Sequence, residues 1–116
     1  MVNLKFINES NVLVAAIEGE IDHHTAENLR ERIDEAILVF KPQTIILDFE
    51  RVTFMDSSGV GLVMGRFRMA KYYGGKVVVS VPEGRIRKLL MLSGLKELVE
   101  FKGGKNEEHK QIQTNN

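Results

Sequence analysis

Two short runs near the N-terminus, Leu4 to Ile7 and Val12 to Ile17, are rich in strand formers, and the segment between them, Asn8-Glu9-Ser10-Asn11, is a cluster of turn formers. The pattern predicts a β-hairpin. Side chains alternate along a strand, so Leu13, Ala15 and Ile17 share one face while Val12, Val14 and Ala16 share the other, and both faces are apolar there. The spacing then changes. After Asp22, a good helix cap, Ala26, Leu29, Ile33, Ala36 or Ile37, and Phe40 recur at steps of three and four, predicting an amphipathic helix that Lys41-Pro42 ends. Ile45 to Phe49 predicts a short buried strand. From Ser57 to about Tyr73 a second helix turns Val60, Val63 or Met64, Phe67 and Ala70 toward a core, and Gly74-Gly75 stops it. Lys76 to Val81 is a further strand. Pro82 suits the first turn of a third helix carrying Ile86, Leu89 and Leu90, with Gly94 at its left-handed end, and Leu98 to Phe101 closes the order as a strand.

The expected architecture is therefore α/β, a single domain with a mixed, mostly parallel sheet, an N-terminal hairpin and three to four flanking helices. Strands joined in sequential order by right-handed crossovers place the helices on one sheet face. The domain is expected over residues 1–102. Residues 103–116 are almost entirely polar, with Ile112 the one aliphatic anchor after Asn106, and predict a tail or a short helix.

Composition narrows the chemistry. In 116 residues, 16 basic side chains balance 16 acidic ones, so no global field draws the chain to nucleic acid or to an anionic membrane. The absence of cysteine excludes a disulfide framework, a thiol nucleophile and a cysteine-ligated metal. No stretch approaches the roughly 18 apolar residues of a membrane span, and Met1-Val2-Asn3-Leu4-Lys5 has no signal-peptide core, so a cytoplasmic location without membrane insertion is expected. Arg66, Arg68, Lys71, Arg85, Arg87 and Lys88 lack interleaved aromatic residues and read as solvated helix faces, so no direct nucleic-acid contact is expected.

The distinctive segment is Met55-Asp56-Ser57-Ser58-Gly59, which puts two hydroxyls where a helix begins. Free N–H groups and the positive end of the macrodipole favour an acceptor, an anion or a covalently attached phosphate there. Gly59, Gly61 and Gly65 lie in the same helix, each costing up to about 1 kcal/mol relative to alanine. Gly61 and Gly65 form a smooth strip near the serines that either receives another protein or packs within this one. If the second and third strands are parallel neighbours, the Gly19-to-Thr25 loop brings Asp22, His23 and His24 to the same sheet edge. A serine hydrolase would need an elbow of the Gly-x-Ser-x-Gly kind and an oxyanion loop, and the sequence has neither. Adjacent His23 and His24 point about 100° apart on a helix, which suits no metal site. Neither catalysis nor a cofactor is expected.

The segments Gly19-Glu20-Ile21-Asp22-His23-His24-Thr25-Ala26, Phe54-Met55-Asp56-Ser57-Ser58-Gly59-Val60-Gly61 and Ser93-Gly94-Leu95 resemble the anti-anti-sigma factors of the STAS domain family, and among them the sporulation antagonists of the anti-sigma F factor. The resemblance implies a non-enzymatic, STAS-like protein that is switched by phosphorylation of Ser57. It implies as partners the anti-sigma F factor, a serine kinase (stage II sporulation protein AB) that carries ADP or ATP, and the phosphatase stage II sporulation protein E. The unphosphorylated form would capture the kinase and release sigma F. Asp22 matches the family's loop aspartate, and with Asp56, Ser57, Ser58, Gly59 and Gly61 it is the expected partner-binding set. The alternative is a STAS module that senses a small molecule or nucleotide at the same edge.

Overall fold

A computed structural model describes residues 2–103, so the expected polar tail from residue 104 onward lies outside the described residues. The hairpin forms from β1 (Val2–Glu9) and β2 (Val12–Ile21). Its turn residues Ser10 and Asn11 have φ of 52° and 65°, the left-handed pair that a two-residue type I′ turn requires and that matches the twist of the strands. Then follow α1 (His23–Phe40), β3 (Thr44–Met55), α2 (Ser57–Tyr72), β4 (Lys76–Ser80), α3 (Arg85–Leu92), a 3-10 turn (Leu95–Glu97) and β5 (Glu100–Lys102).

The five strands lie in the order β1-β2-β3-β4-β5, antiparallel between β1 and β2 and parallel thereafter. Each parallel crossover carries one helix; α1 and α2 pack on the sheet and on each other, and α3 packs beside α2. Leu13, Ala15, Ile17, Ile45, Leu47, Phe49, Val77 and Val79 form the buried sheet face, closed over by Leu29, Ile33, Ile37, Leu62, Val63 and Leu90. At roughly 1.5–3 kcal/mol per large side chain, this burial is the main stabilising term.

Three expectations need correction. The third strand does not end at Phe49 but runs to Met55, because β2 accompanies it up to the pair Ile21–Met55. Register shifts at Ala16/Glu18 and Gly19/Glu20 scramble its alternation, and Gly19, with φ 112°, supplies one of them. Pro82 is not in a helical turn: the chain first turns at Gly84, whose φ of 143° suits glycine, and the helix begins at Arg85. The last strand lies at Glu100–Lys102, since Leu95–Glu97 takes a 3-10 turn after Gly94. Gly94 does adopt the left-handed geometry, with φ 83°.

Candidate functional site at the paired helix N-termini

Parallel pairing of β2 and β3 makes the chain leave both strands at one sheet edge, where Ile21 sits beside Met55 and the Asp56 N–H donates to the Ile21 carbonyl at 3.2 Å. Both helices therefore start side by side, each capped by an aspartate. Asp22 Oδ1 accepts the Thr25 N–H at 2.9 Å, while Thr25 Oγ1 accepts the Asp22 N–H at 2.9 Å and donates to the Glu20 carbonyl at 2.9 Å. This capping box locks the loop that carries His23 and His24. The donated Thr25 N–H holds the Asp22 carboxyl below its ordinary pKa of 3.8, with a smaller contribution from His24.

In the second loop Asp56 Oδ1 accepts the Ser58 N–H at 2.8 Å, so Asp56 is the cap and neither serine is needed for it. Ser57, the first residue of α2, is exposed. Ser58 is half-buried and, unlike Ser57, lines a groove of about 420 Å³ between α1 and α2 together with His23, Glu27, Arg30 and Gly61. The two hydroxyls thus present different surfaces.

The glycines separate as clearly. Gly59 is buried, and a Cβ there would overlap the Met55 side chain, so this glycine serves packing of α2 on the end of β3. A Cβ at Gly61 or Gly65 would meet no heavy atom within 4 Å. The strip they form is not used by the protein's own packing. It lies open, running from the serines along α2.

The buried face of α2 holds Gly59, Leu62, Val63, Arg66 and Ala70. Arg66 overturns the expectation of a solvated basic face. It is only 5% exposed, and its guanidinium contacts the Asp34 carboxylate of α1 at 2.9 Å (Nε) and 3.4 Å (Nη2). Desolvation lowers its pKa from the ordinary guanidinium range while the Asp34 charge opposes that shift, and a guanidinium stays protonated at neutral pH. Arg87 is likewise no free surface charge: its Nη1 donates to the Val81 carbonyl at 2.7 Å and reaches the Gly103 carbonyl at 3.2 Å, pinning α3 to the ends of β4 and β5.

Asp22, Asp56, Ser57, Ser58 and Gly61 are gathered at one end of the molecule, with Gly59 beneath them. Thr25, which closes the first loop by bonding Asp22 and the Glu20 carbonyl, went unassigned in the sequence, although it is the fourth residue of an Asp-x-x-Thr capping box. The Arg66–Asp34 pair gave no local signal, since two charges 32 residues apart meet only once the helices pack. A second cleft, of about 360 Å³, lies beside the part of β3 that extends past β4, between Phe54 and the Pro82–Arg85 loop. Among the described residues, no cluster of histidine, aspartate and glutamate has metal-binding geometry, and no helix is long and apolar enough to cross a membrane.

Comparison with known proteins gives a consistent picture. The STAS domain profile matches residues 3–109. An anti-sigma F factor antagonist from Lysinibacillus sphaericus is 39% identical over 92 residues, covering 79% of this chain and 78% of that one. The solved structure of the anti-sigma factor antagonist SpoIIAA in its unphosphorylated form superposes with a TM-score of 0.76 at 34% identity, covering 98% of each chain. The phosphorylated form of the Bacillus cell fate determinant SpoIIAA gives 0.70 at 35% identity, covering 95% of this chain and 98% of that one.

Proposed function

The chain belongs to the STAS domain family, and on that premise we propose that it is an anti-sigma F factor antagonist controlled by phosphorylation of Ser57. The observation that carries the reading is the placement of Ser57: an exposed hydroxyl at the first position of α2, relieved of capping by Asp56 and flanked by an open glycine strip. That relatives are regulators, and that a homologous structure exists in both phosphorylated and unphosphorylated forms, supports a switch rather than an enzyme.

The unphosphorylated chain binds its anti-sigma factor, a serine kinase carrying ADP or ATP, through Asp22, Asp56, Ser57, Ser58 and Gly61, and so frees the sigma factor. A phosphatase of the stage II sporulation protein E kind resets it, and the cytoplasm is the compartment. Phosphate adds about −1.5 to −2 charges, and two neighbouring helix N-termini stabilise it by up to roughly 2 kcal/mol, so the fold survives modification. Burying the same dianion against a partner without matched donors costs several kcal/mol, and each 1.4 kcal/mol is tenfold in affinity.

Incubation with the cognate anti-sigma kinase and ATP, followed by mass-spectrometric mapping, tests the site. Phosphate is expected on Ser57 and lost in Ser57→Ala; its appearance on Ser58, or nowhere, contradicts the assignment. The cleft beside β3 is where a small-molecule-sensing STAS module would hold its ligand, and a ligand-dependent rise in Tm without any kinase would favour that reading.

A further inference from the structure

We propose that the chain self-associates through the open edge of β1, pairing with β1 of a second copy in one defined antiparallel register. β1 is the edge of the sheet, eight residues long. The two-residue turn makes Glu9–Val12 a hydrogen-bonded pair, so Asn3, Lys5, Ile7 and Glu9 direct their main-chain groups toward β2, and Val2, Leu4, Phe6 and Asn8 direct theirs outward. One of these outward carbonyls is covered: Arg32 of α1 donates to Leu4 O at 3.4 Å. Phe6 and Asn8 are left as the consecutive outward pair on the turn side of Leu4 with no other partner among the described residues, while Val2 lies alone beyond the covered Leu4.

That fixes how a second copy can pair. Phe6 of one strand takes Asn8 of the other, and the reverse, giving four main-chain hydrogen bonds about a two-fold axis at Ile7. In this register Lys5 of each copy stands opposite Glu9 of the other, on the sheet face away from the helices, while Ile7 meets Ile7 between them. Ile7 is 60% exposed in the single chain, an unusual state for isoleucine in a strand. Moving the pairing by two residues away from the turn would require the covered Leu4 carbonyl and would set Lys5 against Ile7, and moving it toward the turn would set Ile7 against Glu9 and leave Phe6 opposite Ser10, outside the strand. On the helix side, a groove of about 380 Å³ lined by Phe6, Arg32, Glu35, Ala36, Val39 and Phe40 runs along the same edge, with Val39 69% and Phe40 45% exposed. The second copy's Phe6, diagonal to the first across the pairing, covers its floor. Charge complementarity and the single free register point to a second copy rather than an unrelated strand.

The hairpin turn lies at the end of the sheet opposite Ser57, since Asn11 O accepts from Gln43 and Thr44 at the start of β3. The association therefore leaves both Ser57 sites open. With only a short strand pair buried, it is weak and concentration-dependent.

Sedimentation equilibrium of the full chain over a wide concentration range, with circular dichroism as the folding control, tests this. The expected result is reversible dimerisation, weakened about tenfold or more by Lys5→Glu or by Glu9→Lys alone and restored in the double charge swap, which no loss of folding can mimic. Because the chain has no cysteine, Ile7→Cys is expected to give a disulfide-linked dimer on mild oxidation, and Asn3→Cys is not. A monomer at every concentration, or a double swap no better than the single variants, overturns the proposal.

Discussion

Helices α1 and α2 begin side by side, run in the same direction over the same sheet and answer to different demands. α1 has eighteen residues, no glycine, a full capping box and four buried apolar or alanine side chains. α2 has sixteen, three glycines, a single-sided cap, and a charged residue on its buried face. The first helix is built as a stable support, whereas the second gives up helix propensity to keep a backbone strip bare and a serine exposed. Since a side chain at Gly61 or Gly65 would meet no other part of the protein within 4 Å, leaving these positions bare has no return in packing. The difference teaches where function resides.

Perturbing Ser57 is expected to have the largest effect. Ser57→Asp should weaken capture of the anti-sigma factor by about a hundredfold, in keeping with a buried, unmatched charge, while leaving Tm unchanged; titration by calorimetry checks it. If Tm falls instead, α2 is a structural helix like α1 and the contrast fails.

Asp34→Ala tests the tie between the two helices. Removing the partner of a buried guanidinium costs about 3–5 kcal/mol in a fully enclosed site, and because the Asp34 side chain is 32% exposed the expected loss is about 2–3 kcal/mol, read from urea unfolding. Thr25→Ala should cost about 1 kcal/mol by opening the capping box, and should weaken partner capture by loosening the loop beside Ser57.

Gly61→Ala separates the two demands within one residue. The site is helical and open, so stability should rise by about 0.5–1 kcal/mol while capture falls, and a variant that is both more stable and a good binder would remove the strip from the interface. The smallest effect concerns pH. The Asp22 carboxyl titrates below its unfolded value of 3.8, so its contribution is fully present above that value and is lost as pH falls through the lower folded one. Asp22→Asn should flatten that acid limb of the stability profile.

The same contrast explains how much was legible in the sequence. α1 could be read from its spacing because its pattern serves packing alone. The Asp-Ser-Ser segment stood out because its glycines conflict with helix propensity. By contrast, Glu50 to Phe54 did not read as strand, since that stretch pairs on one side only, with β2, and bulges disturb its alternation. Nor could Arg66 be recognised as interior, because what makes it so is Asp34 on another helix. Whether the glycine strip was open or packed depended on the neighbours of α2, and only the assembled fold shows it bare.

The most direct test of the central claim is to titrate the ADP-bound cognate anti-sigma factor with the wild-type chain and with the same chain phosphorylated at Ser57. The account predicts tight binding of the first and affinity at least a hundredfold weaker for the second, with both equally folded. Equal affinities for the two forms would contradict it.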